Sequence, residues 1–255
     1  MTHSATPDIF ADWLAALEAR HLADLRLQEV TRALRALSSA YVERRHKVAR
    51  GSTLDSHGKR AAFALFYAPL HFIASHHVVS ALGATTPAPS RIIDIGCGTG
   101  SAGAAWALAS GGASVVGIDR HPWAVDEAQW TYRTLKIRGN ARRGDATRLP
   151  RLQSGNAVMA AYVLNELPEA GRQRLETSLV TAATQGVRVL VLEPIATSVT
   201  PWWETTAERV VAAGGRADQW RIAIDVPPLV QTLADAAGLN VGELKLKSLF
   251  LDGKR

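Results

Sequence analysis

A chain of 255 residues that is 47% hydrophobic is long enough to bury one good core with an appendage, as one or two domains. Its single cysteine, Cys97, excludes a disulfide framework and any multi-cysteine metal site, and is compatible with a reducing cytoplasm. A formal net charge of +6 with a pI near 9.8 either draws polyanions through counterion release or marks a solvated basic face.

The N-terminal segment contains Asp8, Asp12 and Glu18 and reads as a helix from about 8 to 20, entered through Thr6-Pro7-Asp8, and not as a secretory signal. Leu27, Val30, Leu34, Leu37 and Tyr41 recur at spacings of three and four, which predicts a second helix from about 23 to 49. Arg26, Arg32, Arg35, Glu43 and Arg44 fall largely off that stripe, and Gly51 to Ser56 breaks the pattern. Residues 61–82 carry no formal charge and approach the length of a membrane span. His71, His76, His77, Pro69 and many alanines make them too polar for one, so they are expected to form a buried or half-buried helix closed by Gly83.

From residue 91 onward apolar strands alternate with helices, which predicts an α/β fold built on a doubly wound, mostly parallel sheet. Strands are expected near 91–95, 114–118, 139–143, 156–163 and 187–193, with helices from about 202 to 213 and 228 to 237 and a terminal strand near 241–251. Whether Trp220 to Asp225 supplies another strand is open. The expected organisation is a helical region over 1–85, serving as lid or for substrate recognition, and a ligand-binding α/β domain over 86–255.

The strand Arg91-Ile92-Ile93-Asp94-Ile95 runs into alternating glycines at 96, 98 and 100, and the small residues from Ser101 onward then open a helix. Glycines let backbone approach a ligand closely, and a strand, a tight turn and a helix N-terminus together form the nucleotide-binding corner of α/β proteins. The spacing departs from the G-x-G-x-x-G that cradles a pyrophosphate. Asp94 would moreover repel a phosphate, and suits a ligand that carries an ammonium group.

This stretch resembles the first motif of the class I S-adenosylmethionine-dependent methyltransferases, which are Rossmann-like, and the resemblance continues along the chain. It implies that Asp94, Gly96, Cys97, Gly98 and Gly100 line a site for S-adenosylmethionine, whose product is S-adenosylhomocysteine. By the same resemblance Asp119 and Arg120, ending the second strand, would hold the ribose, and Asp145 and Ala146 would read the adenine edge. Ala161 and Tyr162 would close the cofactor site, with Asn165-Glu166-Leu167-Pro168 facing the methyl acceptor. Cys97 is expected to be a small residue that fits the turn, since no His or Asn frames it as a nucleophile.

A narrower resemblance joins the Tyr41 helix, Phe63-x3-Tyr67-x-Pro69, the Asp94 turn, Ala161 to Leu167 and Leu192-Glu193-Pro194. Together these are similar to the methyltransferase-like family associated with assembly of the mitochondrial small ribosomal subunit, which has bacterial members. That likeness implies ribosomal RNA or the small ribosomal subunit as partner and rRNA methylation as its activity, while the cysteine count and the N-terminal segment lead us to expect a cytoplasmic protein. Two departures stand out. Trp220-Arg221-Ile222-Ala223 occupies the place of a Trp-Cys-His-Phe element, so no iron–sulfur cluster is expected, and no other metal. Tyr67 stands where the family tends to have an arginine, so Lys59, Arg60 or Tyr67 would have to meet the cofactor carboxylate.

Asn165 is the candidate for orienting an acceptor nitrogen, or else it caps the helix beginning near Pro168. Glu193 is a candidate base or substrate ligand, or else a structural contact to the Trp202 helix. Tyr67 and Trp202 are candidate substrate contacts, and Trp202 could equally belong to the core. The histidines lack the company of carboxylates or cysteines at metal spacing and are expected to pack. Lys136, Arg138, Arg142, Arg143, Arg148 and Arg151 oppose Asp145 alone, a basic run that fits RNA or a solvated face. Three functions fit: a methyltransferase acting on structured RNA, a small-molecule methyltransferase lidded by its N-terminal helices, or a non-catalytic assembly protein that retains the fold.

Overall fold

The structure, a computed structural model, describes residues 5–43 and 54–253; the Tyr41 side chain, Arg44 and the break at Gly51 lie outside the described residues. In chain order the helices are α1 (Ala5–His21), α2 (Leu27–Glu43), α3 (His57–Ala62), α4 (Ala68–Ala81), α5 (Ser101–Ala109), α6 (Pro122–Thr134), α7 (Glu169–Thr184), α8 (Trp203–Ala212) and α9 (Pro228–Ala237). A π-helical turn, Phe63–Tyr67, joins α3 to α4. The strands are β1 (Arg91–Ile95), β2 (Ser114–Asp119), β3 (Gly139–Arg143), β4 (Asn156–Ala161), β5 (Arg188–Pro194), β6 (Arg216–Ala223) and β7 (Glu243–Leu251). Two compact units divide the chain: Met1–His71 with Ala223–Leu244, and Phe72–Ile222 with Lys245–Arg255.

In the helical unit the predicted stripe of α2 is its buried face: Val30, Leu34 and Leu37 are all fully buried. The helix starts at 27 and not 23 because the backbone N–H of Arg26 donates to Glu29 Oε2 at 2.8 Å, closing an N-terminal capping arrangement. Ser56 caps α3 by accepting from the Lys59 N–H at 3.3 Å. Arg35 donates to the Ala236 carbonyl at the end of α9. His57–Ala81 is long and apolar enough to cross a membrane by length and composition, and 67% of its most apolar window is buried inside the protein, as in a core helix.

The second unit carries the sheet, with strand order β3-β2-β1-β4-β5-β7-β6. β1 pairs in parallel with β2 on one side and β4 on the other, β3 extends β2 and β5 extends β4, all parallel. β7 runs antiparallel to β5, with Val189 opposite Leu251 and Val191 opposite Leu249. On one face of the sheet Ile93, Val158, Val191 and Leu249 pack with Leu179, Trp203 and Val210 from α7 and α8. Buried apolar side chains of this size contribute roughly 1.5–3 kcal/mol each. Arg188 is 93% buried, yet paired: its guanidinium donates to Asp252 Oδ1 at 2.9 Å and to the carbonyls of Ala84 and Pro87, tying the segment before β1 to the C-terminal turn.

Two departures from expectation bear on the sheet. β4 ends at Ala161 and not at 163, because Tyr162 adopts φ +60° and turns the chain away from the sheet. The open question at 220–225 resolves into β6, which begins earlier, at Arg216, and forms the edge of the sheet beside β7.

Candidate active site

In an open α/β sheet the ligand crevice lies at the carboxyl ends of the strands where strand order reverses, here between β1 and β4. The turns after those two strands meet there. A Cβ on Gly96 would come within 2.5 Å of Val163 Cγ2, so only glycine permits the turn after β4 to lie against the turn after β1. Gly96, Gly98 and Gly100 all take positive φ, as the alternating pattern implies.

Asp94 is 99% buried, and its Oδ2 accepts from the backbone N–H of Gly103 in the first turn of α5 at 3.0 Å. A Cβ on Gly103 would sit 2.6 Å from that oxygen, which accounts for the small residue there. Burial is the main cause that pushes the Asp94 carboxyl up to about 7; the Gly103 hydrogen bond opposes it and the charge of Asp119 adds to it. Asp94 therefore organises the glycine turn as well as placing an acid beneath it.

Asp119, at the end of β2, binds both neighbouring segments. Oδ2 accepts from Gly98 N–H at 2.9 Å and Oδ1 from His121 N–H at 2.8 Å. A carboxylate oxygen has two lone pairs, so each retains one for a hydroxyl donor. Arg120 is exposed and lies near Glu166. Cys97 is buried, and burial, with Asp94 and Asp119 adding, pushes its thiol well up, so it is a packed thiol and not a nucleophile. Beneath the turn stands Tyr132 of α6, fully buried, whose hydroxyl has no hydrogen-bond partner. Thr99 Oγ1 is buried and unpartnered in the turn itself.

The other candidate residues fall into two groups. Asp145 is exposed, and its Oδ1 accepts from both the N–H and the hydroxyl of Thr147, at 2.9 and 2.8 Å, which holds the carboxyl below its ordinary range; Ala146 packs half-buried against the core. Ala161 pairs with Leu192, and Tyr162 N–H donates to the Leu192 carbonyl at 2.7 Å. Glu193 is fully buried at the end of β5, and its Oε1 accepts from Leu164 N–H at 2.8 Å and Asn165 N–H at 3.3 Å. Glu193 thus holds the turn after β4 and not the Trp202 helix. Asn165 does not cap α7, whose N-cap is Pro168 with no side-chain bond. Its Oδ1, like Glu193 Oε2, is buried without a partner.

Trp202 packs half-buried against the core, with the Arg172 guanidinium 5.1 Å from its ring centroid. Tyr67 lies in the helical unit, where its hydroxyl bonds to Ser38 and its ring meets Phe63, Phe66 and His71. Lys59 pairs with Asp55 at 2.9 Å and Arg60 donates to the Leu54 carbonyl, so each of the three candidates for a carboxylate already has a partner in its own unit. His77 packs on Trp220 and His71 on Phe63. Among the described residues no three His, Cys, Asp or Glu side chains gather as a metal site.

Sequence reasoning missed the buried Lys247, which faces Glu193 in the β5–β7 register and lies 4.5 Å over the Trp203 ring. Its strand reads as an ordinary alternation, and the partner is 54 residues away, so no local signal marks the pair.

Residues 92–186, 95 of the 255, match the family model of a methyltransferase domain. A putative O-methyltransferase from Nostoc punctiforme superposes with TM-score 0.51 at 12% identity, covering 94% of this chain and 72% of its own. The plantazolicin methyltransferase BpumL, solved in complex with SAH, gives TM-score 0.50 at 14% identity over 89% of this chain and 97% of its own. No curated protein matches the chain by sequence. The fold is the Rossmann-like α/β fold of class I methyltransferases.

Proposed function

We propose that this chain is an S-adenosylmethionine-dependent methyltransferase that acts on RNA. The observation that carries the reading is the glycine turn crossed by Asp119, which leaves a lone pair on each carboxylate oxygen for a ribose diol while fixing the turn through Gly98. The match of residues 92–186 to a methyltransferase domain supports it. Bound there, S-adenosylmethionine would supply an electrophilic methyl group; the chain's own part is alignment, worth about 7–11 kcal/mol in favourable cases. Gly96 to Gly100 offer close backbone approach, Asp94 a carboxylate for the ammonium, and the Asp145-Ala146 turn a rim for the adenine.

RNA as the acceptor class is favoured by charge. Lys136, Arg138, Arg142, Arg143, Arg148 and Arg151 are all exposed on or beside β3, the edge strand that leads into the Asp145 turn, so a polyanion attracted there lies next to the cofactor edge. Ribosomal RNA, free or in the small subunit, fits this surface. Calorimetric titration with S-adenosylmethionine and S-adenosylhomocysteine tests the cofactor, with a Kd on the order of 10 µM expected. The absence of heat with both would overturn the reading. Transfer of labelled methyl to a small-subunit ribosomal RNA transcript tests the acceptor, and it should weaken steeply as salt is raised.

A further inference from the structure

The turn after β4 gathers two acceptor atoms that nothing in the protein satisfies. Glu193 spends Oε1 on the N–H groups of Leu164 and Asn165, and Oε2 is left buried and bare. Asn165, whose backbone touches that same carboxyl, leaves Oδ1 buried and bare as well. An unsatisfied buried polar atom costs roughly 1–3 kcal/mol, and native proteins carry few of them. One on the end of β5 and one on the turn after β4, beside Tyr162 at φ +60°, these two atoms mark a place where a donor from a ligand would complete the protein. Lys247 does not answer the need: it faces Glu193 across the strands but rests on the Trp203 ring.

We infer that the methyl acceptor is an amine nitrogen bearing its own hydrogens, the exocyclic amine of a nucleobase, which donates one N–H to Asn165 Oδ1 and one to Glu193 Oε2. This rests on the methyltransferase reading above. With Glu193 ionised, both orphan atoms accept, so the group that completes them must donate twice; a hydroxyl has one hydrogen to give, and an amine has two. Position agrees with chemistry, because Val163 lies against Gly96 and so brings this turn against the cofactor turn. In the transfer the nitrogen lone pair forms the N–CH3 bond as the S–CH3 bond breaks, its electron pair goes to sulfur to leave a neutral thioether, and the proton on nitrogen passes to Glu193 Oε2. Groups facing that carboxyl are Glu166 and Tyr162 from the turn and Lys247 from β7. Burial, helped by Glu166 and opposed by the backbone hydrogen bonds and Lys247, raises the carboxyl to about 8, so it becomes a base able to take the proton as pH rises toward that value.

The test uses the full chain, labelled S-adenosylmethionine and a small-subunit ribosomal RNA transcript, with nucleoside analysis of the product. The expected label is on an exocyclic nitrogen. Glu193→Gln keeps the Oε1 acceptor and turns Oε2 into a donor, so transfer should fall by about 100-fold or more with cofactor Kd changed less than about threefold. Asn165→Ala should raise KM more than it lowers kcat. The wild-type rate should climb with pH toward about 8, and residual activity of Glu193→Gln should lose that slope. Label on a ribose oxygen or a ring carbon, no label in RNA despite cofactor binding, or full activity in Glu193→Gln each overturns the inference and leaves cofactor binding standing. Absence of cofactor binding overturns both readings.

Discussion

The turns after β1 and after β4 lie against each other, yet they are built in opposite ways. In the first, the carboxylates serve the backbone: Asp94 holds Gly103, and Asp119 holds Gly98 and His121. In the second, Glu193 holds the backbone with one oxygen only, and two side-chain acceptors remain unmet. The backbone of the first turn is therefore fixed by its carboxylates, with the Thr99 hydroxyl left unmet, whereas the second leaves two acceptor oxygens unmet. On the proposed reading the common ligand would bind the turn whose backbone is already fixed, and the specific one would complete the other.

The contrast can be broken most severely at Asp119. Asp119→Ala removes two backbone hydrogen bonds and the acceptors for the ribose, so cofactor Kd should weaken by about 100-fold or more in calorimetry, hydrogen bonds to charged groups being worth roughly 1.5–3 kcal/mol each. An unchanged Kd would mean the first turn does not bind the cofactor. Gly96→Ala tests the contact between the turns. A Cβ 2.5 Å from Val163 at φ +60° should destabilise by about 2–4 kcal/mol, seen as a melting temperature lower by roughly 5–10 °C.

A milder test is pH. Asp94 and Glu166 are pushed up to about 7 and Glu193 to about 8, all above their unfolded values, so the folded state binds more protons than the unfolded chain over this range. Their contribution to stability is complete below about pH 4 and is lost as pH rises through 7–8. The melting temperature of the cofactor-free protein should fall by several degrees from pH 5.5 to 8.5, while cofactor affinity rises about tenfold from pH 6 to 8 as Asp94 ionises to meet the ammonium. A flat profile would remove Asp94 from the cofactor site. The smallest effect belongs to Tyr132→Phe. Its hydroxyl is buried and unpartnered, so its loss should leave stability within about 1 kcal/mol of the parent, measured by denaturant unfolding, while Tyr132→Ala would hollow the floor of the cradle.

The same contrast explains what could be read from sequence. Asp94, the glycines and Asp119 act through backbone geometry at fixed local spacing, so the pattern of residues 92–119 carries the first turn nearly whole. Four of the five parallel strands, β1, β2, β4 and β5, were legible because buried parallel strands are continuous apolar runs, whereas β3, Gly139-Asn-Ala-Arg-Arg, is mostly exposed and polar and was placed only by the resemblance of the Gly144-Asp145 turn that follows it. β6 was not, since an edge strand reading Arg216-Ala-Asp-Gln-Trp-Arg-Ile-Ala is mostly exposed and polar. Asn165 and Glu193 could be named as candidates, but their bond to each other spans 28 residues, and neither that bond nor the unmet oxygens leave a trace in spacing. Asn165 as a helix cap was a reasonable local reading that Pro168 displaced.

The helical unit draws on both ends of the chain: α2 comes early, and α9, on which Arg35 closes by a hydrogen bond, comes 201 residues later. A unit so divided cannot close until Pro228–Ala237 has been made, whereas β1 to β5 need nothing beyond residue 194 to pair with one another. The five parallel strands are thus free to pair before β7 and β6 are made, and the early helices, which pack on one another, gain α9 only afterwards. Fragments that end before residue 228 would keep the five parallel strands and deprive the helical unit of the helix that packs on α2.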